Sequence, residues 1–281
     1  IKKNNNFIPK ITLIKSQTEL INLNINKKDN SPINIQNYKF NFVFSNTQES
    51  VQYVNEYLED IYPNLLKEEN ELIIKPKYGY MENQPDINEQ IREILIDWLI
   101  QVHLRFSLRP ETLYQTIFII DSFSTLKTII RSKYQLLGIA SLLISCKSQE
   151  IYFPQLKEFI QITDNAYNKN ELIIMENNIL KILNFNILSP TSNDFYNILV
   201  KFFDFDQKQY YLGKYLLDAA LIDYQMIKYP ASVIAAGSAY LVMKFFGKAN
   251  YKSLYSDFIV NNEYPEKIIK QVAADFCNLI K

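Results

Sequence analysis

At 281 residues, with 48% of them apolar, the chain is long enough for two ordinary domains and for a substantial buried core. Thirty basic and thirty acidic residues cancel, which removes the electrostatic footprint of a nucleic-acid binder; five glycines are too few for phosphate-cradling loops or a turn-dense all-β fold. A single histidine, His103, and two cysteines without CxxC or HExxH spacing exclude a histidine-based triad and the common zinc sites.

Residues 1–46 are rich in Asn, Ile and Lys and show no sustained helical period. Within them Tyr38, Phe40, Phe42 and Phe44 alternate with smaller or polar residues, the period of an extended segment. Such a tail is expected to lie on a surface, either of this chain or of a partner. An amphipathic helix is predicted from Gln48 to about Lys67 through Val51, Val54, Tyr57, Leu58 and Ile61, kinked or shortened by Pro63. The next helix is predicted from about Ile87 to Phe106. Asp86 is its expected N-cap, and Glu89 is placed to return the cap's hydrogen bond. Ile87, Ile91, Ile94, Leu95, Trp98, Leu99, Val102 and Phe106 recur on one helical face. Arg92 and Asp97 interrupt that apolar run, and as ionised groups each needs a partner.

Pro110 opens a second helix. A third is predicted over Ser132–Cys146, a fourth from near Pro154, and a fifth over Asn168–Leu183, with Glu171 completing its cap. A second block repeats the layout. Pro190 opens its first helix, Gln207–Asp223 is its second, and Pro230–Phe246, closed by Gly247, is its third. Shorter helices are predicted over Tyr251–Val260 and Pro265–Ile280. The longest apolar run, Ala231–Met243, is too short to span a bilayer. Cys146 and Cys277 lie in apolar helical contexts and are expected as small core residues of a protein from a reducing compartment. Gly138-Ile139-Ala140-Ser141 and Ala235-Ala236-Gly237-Ser238 place small residues mid-helix at corresponding points of the two blocks. Each block therefore reads as one buried central helix wrapped by four others, an all-α fold.

Several ordered motifs resemble the cyclin family. Pro85-Asp86-Ile87-Asn88, Ile91-Arg92-Glu93-Ile94-Leu95 and Asp97-Trp98-Leu99 look like the opening of a cyclin box, and Tyr80-Met81 with Gln84-Pro85-Asp86 is most similar to A-type members. The resemblance continues through Ile119-Ile120-Asp121-Ser122-Phe123, Gln135-Leu136-Leu137-Gly138, Ser145-Cys146-Lys147-Ser148-Gln149-Glu150-Ile151-Tyr152 and Met175-Glu176-Asn177-Asn178-Ile179-Leu180. Ser189-Pro190-Thr191 and Tyr229-Pro230-Ala231-Ser232 extend it into the second block. It implies an extended tail (1–46), an N-terminal helix and lead-in (47–83), and two five-helix cyclin boxes (84–187 and 188–281).

The implied function is that of a regulatory subunit. It would bind and activate a cyclin-dependent kinase and help recruit substrates or inhibitors carrying short motifs. No catalytic residue, cofactor, metal, nucleic acid or membrane enters that role, and the location is nuclear or cytoplasmic. The other reading is a cyclin-fold scaffold held in a larger assembly without kinase activation.

By the same resemblance Lys147 and Glu176 form the centre of the kinase contact, with Glu150, Ile151, Tyr152, Leu180, Phe185 and Ile187 around it. Arg92 pairs with Asp121 and fixes two helices in register. Ile91, Ile94, Leu95, Trp98, Gln101 and Gln135 match a surface groove for Arg-x-Leu docking motifs. This chain departs from the family pattern in three places. Gln101 and Arg105 stand where the groove has an acidic rim, Glu93 replaces a small residue, and Ser148-Gln149 replaces an aromatic residue and an acid. The expectation that follows is a groove preferring a neutral or acidic residue to the motif's arginine.

Overall fold

The computed structural model describes residues 57–247 and 266–280. The period-two segment at 38–44 and the helix predicted over Tyr251–Val260 lie outside the described residues, as does the start of the helix predicted from Gln48. Ten α-helices are described: α1 (Leu58–Glu71), α2 (Glu89–Phe106), α3 (Pro110–Leu126), α4 (Arg131–Gln149), α5 (Leu156–Gln161), α6 (Lys169–Ile182), α7 (Ser192–Phe202), α8 (Gln207–Ile222), α9 (Ala231–Phe245) and α10 (Glu266–Leu279). Short 3-10 turns at Tyr80–Asn83 and Tyr224–Lys228 precede α2 and α9. No strand occurs among the described residues, so the all-α expectation holds.

Local chemistry explains the boundaries, including those that differ from expectation. Asn88, not Asp86, caps α2, its side chain accepting from the Ile91 N–H at 2.9 Å. Glu89 is thereby the first helical residue, where a carboxylate complements the helix dipole. Asn168 and Glu171 cap α6 reciprocally, as predicted. α7 begins at Ser192 behind a Thr191–Asp194 capping box, and Pro190 stands outside it. Pro154 likewise precedes α5, which starts at Leu156 with the Glu158 carboxylate accepting from the Gln155 N–H. α1 continues through Pro63 to Glu71 instead of ending near Lys67. α4 runs to Gln149, which carries Lys147 and Ser148 on its last turn.

Two cores organise the packing. α2 to α6 enclose the first, where Leu99, Ile119, Leu137, Leu142, Phe159 and Ile179 are buried. The second gathers Phe195, Leu199, Leu217, Val242 and Phe276 from α7 to α10. α1 joins this second core through Tyr62 and Leu66, although it precedes the first block in sequence. Tyr62 meets Phe195 edge to face at 5.7 Å, and the buried Glu69 carboxylate accepts from the Ser232 N–H and hydroxyl at the start of α9. Burial raises the Glu69 carboxyl above its ordinary range, and the two Ser232 bonds oppose that shift.

α4 and α9 are the central helices, and their small residues mark the closest approaches. A methyl group at Gly138 would meet Leu95 Cδ1 at 2.9 Å; one at Gly237 would meet Val272 Cγ1 at 2.5 Å. The β-branched Val272 cannot swing away as a flexible side chain would. Gly237→Ala should therefore cost about 1–3 kcal/mol by overpacking, despite alanine's better helix propensity. Urea unfolding would register this as a lower midpoint at unchanged slope.

Candidate functional site

The first candidate surface lies where the last turn of α4 meets the middle of α6. Lys147 Nζ contacts Glu176 Oε1 at 2.5 Å, with 43% of the lysine side chain and 13% of the glutamate side chain exposed. The two residues therefore meet at the surface and satisfy each other in the free chain. Beyond α4, Ile151 and Tyr152 are 87% and 93% exposed. Beyond α6, Asn184 and Phe185 take left-handed backbone angles (φ 47° and 58°), and the Phe185 N–H is held by the Leu180 carbonyl at 2.9 Å. A bulky residue in that region is uncommon, and this turn leaves Phe185 largely exposed. Leu180 and Ile187 are half-buried against the first core and support the edge.

Three exposed apolar residues were not anticipated: Phe153 and Leu188, which follow α4 and α6, and Ile174 within α6. Ile174 had a signal, because Ile173-Ile174 doubles an apolar position off the stripe that Leu172 and Ile179 bury. Glu150 is half-buried and anchored from within: its Oε1 accepts from the Arg109 N–H at 2.7 Å and from the Thr112 hydroxyl at 2.5 Å, at the start of α3.

Arg92 and Asp121 form the pair expected of them, and more. The Arg92 guanidinium donates to both Asp121 carboxylate oxygens at 2.8 Å, and both residues are buried. Tyr80, on the turn before α2, adds its hydroxyl to Asp121 at 2.8 Å. The remaining Arg92 nitrogen donates to the Ile222 carbonyl at the end of α8, which carries the pair from one core to the other. Burial alone would lower the affinity of Arg92 for its proton; the charge and hydrogen bonds of Asp121 outweigh it and leave the group above its ordinary value. Asp97 answers its question differently. It is exposed and accepts from Gln101 Nε2 at 2.9 Å.

That bond also changes the third site. On α2, Ile91 and Trp98 are half-buried and Ile94 is 70% exposed. Leu95 is core, packed on Gly138 of α4, and Ile96 is wholly buried although the predicted face omitted it. Gln135 lies half-buried one turn before Gly138. Of the residues expected to line a groove, Ile91, Ile94, Trp98, Gln101 and Gln135 are at least partly accessible and Leu95 is not. Asp97 and Gln101, both exposed and bonded to each other, lie one helical turn from Ile94 and Trp98 respectively.

Elsewhere the inventory is sparse. Among the described residues no group of His, Cys, Asp and Glu is placed to hold a metal ion, and no helix is long and apolar enough to cross a membrane. Burial pushes the Cys146 thiol up to about 12, with Glu150 adding to the shift, as befits a core residue.

Comparison with known proteins decides the family. Models of the cyclin N-terminal and C-terminal domains match residues 60–188 and 190–280. The chain belongs to the cyclin family. A G2/mitotic-specific cyclin-B of Spisula solidissima is 37% identical over 248 residues, covering 88% of this chain and 55% of that protein. A G2/mitotic-specific cyclin-A of Patella vulgata is 40% identical over 201 residues, or 71% of this chain and 47% of the relative. The X-ray structure of a viral cyclin from herpesvirus saimiri superposes with a TM-score of 0.61 at 18% identity, covering 79% of this chain and 99% of the viral one. This cyclin spans about half the length of the curated relatives it matches.

Proposed function

We propose that this cyclin is a regulatory subunit that binds and activates a cyclin-dependent kinase. The observation that carries the reading is the surface Lys147–Glu176 pair, on the two helices that are followed by the exposed Ile151-Tyr152 and Phe185. An apolar strip this exposed needs a partner to cover it. A charge pair within it fixes the partner's orientation, which apolar contact alone leaves free to slide. Lys147 Nζ has three donors and the Glu176 carboxylate two acceptor oxygens, so each keeps capacity for a kinase backbone beyond their mutual bond. Affinity purification of the tagged chain from its native cells should recover a cyclin-dependent kinase; recovery of other proteins without one would reject the reading.

The groove on α2 is the second element of this function, a slot for short substrate motifs. Ile94 and Trp98 offer apolar surface to a leucine, worth about 1.5–3 kcal/mol on full burial. The exposed Asp97 carboxylate supports the opposite preference to the one expected from Gln101 and Arg105. With a carboxylate beside the slot, a motif arginine is favoured over a neutral residue, and Arg105 lies two turns farther along α2. Asp97→Asn should weaken an Arg-x-Leu peptide by about 0.2–1 kcal/mol, the range for an exposed pair, and remove its salt dependence. A titration of the two chains at low and high salt measures this.

A further inference from the structure

The two edges of the proposed kinase-facing strip come from different parts of the chain, one after α4 and one after α6, and a single buried side chain touches both. Gln115 of α3 is 3% exposed. Its Oε1 accepts from the Ser148 hydroxyl at 3.0 Å and from Gln149 Nε2 at 2.7 Å, both on the last turn of α4. Its Nε2 donates to the Ile187 carbonyl at 3.3 Å. The start of α3 reinforces the first contact, because Arg109 Nη1 donates to the Gln149 carbonyl and Glu150 caps Arg109 and Thr112. Ile151 and Tyr152 follow directly on one side, and Phe185 and Leu188 bracket Ile187 on the other.

We infer that Gln115 is a positioning residue of the kinase contact: its amide sets the spacing of the 151–152 and 185–188 edges, and Ser148-Gln149 are the partners that make the clasp. This gives a role to the two residues at which the chain departs from the family pattern. An acceptor and a donor on one buried planar group tie two segments to one helix, and a covering partner meets them at a fixed separation. The inference rests on the kinase reading above.

Gln115→Met keeps length, volume and helix propensity while removing every bond of the clasp. The triple variant Gln115→Met, Ser148→Ala, Gln149→Met also removes the stranded donors. Two readouts on the full chain separate stability from positioning: association with a recombinant cyclin-dependent kinase that the unaltered chain binds, and amide hydrogen exchange of the free chain. The single variant should lose association about tenfold. The triple variant should regain the thermal midpoint and still bind about tenfold more weakly, which a merely structural residue would not produce. In both, amides at 149–152 and 185–188 should exchange faster together. If Lys147→Ala with Glu176→Ala abolishes association while both clasp variants bind within about twofold of the unaltered chain, the positioning role is overturned. Failure of that control variant to weaken association strikes the kinase reading instead. Exchange then decides the clasp alone: unchanged exchange at either edge overturns it, and joint acceleration sustains it.

Discussion

Replacing both Lys147 and Glu176 by alanine is expected to weaken kinase association by about 2–5 kcal/mol, the cost of truncating charged groups at the centre of a desolvated contact. The same change should barely move the stability of the free chain. The two side chains bond each other at the surface, and an exposed ion pair contributes about 0–1 kcal/mol. The contrast between the two numbers is the useful part. A residue pair that mattered only for folding would show the opposite ratio. Calorimetry of the complex beside urea melts of the free chain measures both.

The opposite ratio is expected at Arg92. Arg92→Met should destabilise the fold by about 3–5 kcal/mol, because it leaves the buried Asp121 carboxylate with the Tyr80 hydroxyl but no countercharge. Against a total stability of about 5–15 kcal/mol this is a large fraction. The change also removes the bond to the Ile222 carbonyl and with it a tie between the two cores. Adding Asp121→Leu and Tyr80→Phe removes the stranded charge and hydroxyl, so the triple variant should recover most of the loss, as apolar replacements of buried ion pairs commonly do. Equilibrium urea unfolding of the three chains tests the sequence of effects. A single-variant loss below about 1 kcal/mol would show that Asp121 finds another partner.

How legible all this was in the sequence depended on the range of the interaction. Helix periods and caps are local, and most helices began within a residue or two of their predicted start. Where a start shifted by two residues, a competing local group decided: Asn88 over Asp86 for α2, and Thr191 over Pro190 for α7. The faces were less legible. Ile94 and Ile96 are chemically alike and two positions apart, and only the placement of α8 and α4 around α2 decides that one is exposed and the other wholly buried.

Long-range polar partners were harder still. Lys147 with Glu176 and Arg92 with Asp121 emerged through resemblance, since nothing in their spacing alone joins them. Tyr80 on Asp121, Glu69 on Ser232 and Gln115 on three separate residues had no sequence signature, because a polar side chain reveals its partner only when the fold brings the two together. Glu150 is a further case: its motif context gave no sign of the Arg109 N–H and the Thr112 hydroxyl that hold one of its oxygens.

Kinase activation is the central claim, and reconstitution tests it most directly. The purified chain is added to a recombinant cyclin-dependent kinase subunit that is inactive alone, and phosphate transfer to a generic protein substrate is followed with chain concentration. The account predicts a saturable rise in activity that the Lys147→Ala, Glu176→Ala chain fails to produce at the same concentrations. Equal activation by both chains would remove the pair from the account, whereas binding of the unaltered chain with no rise in activity would contradict activation itself and leave a cyclin-fold scaffold as the reading of this protein.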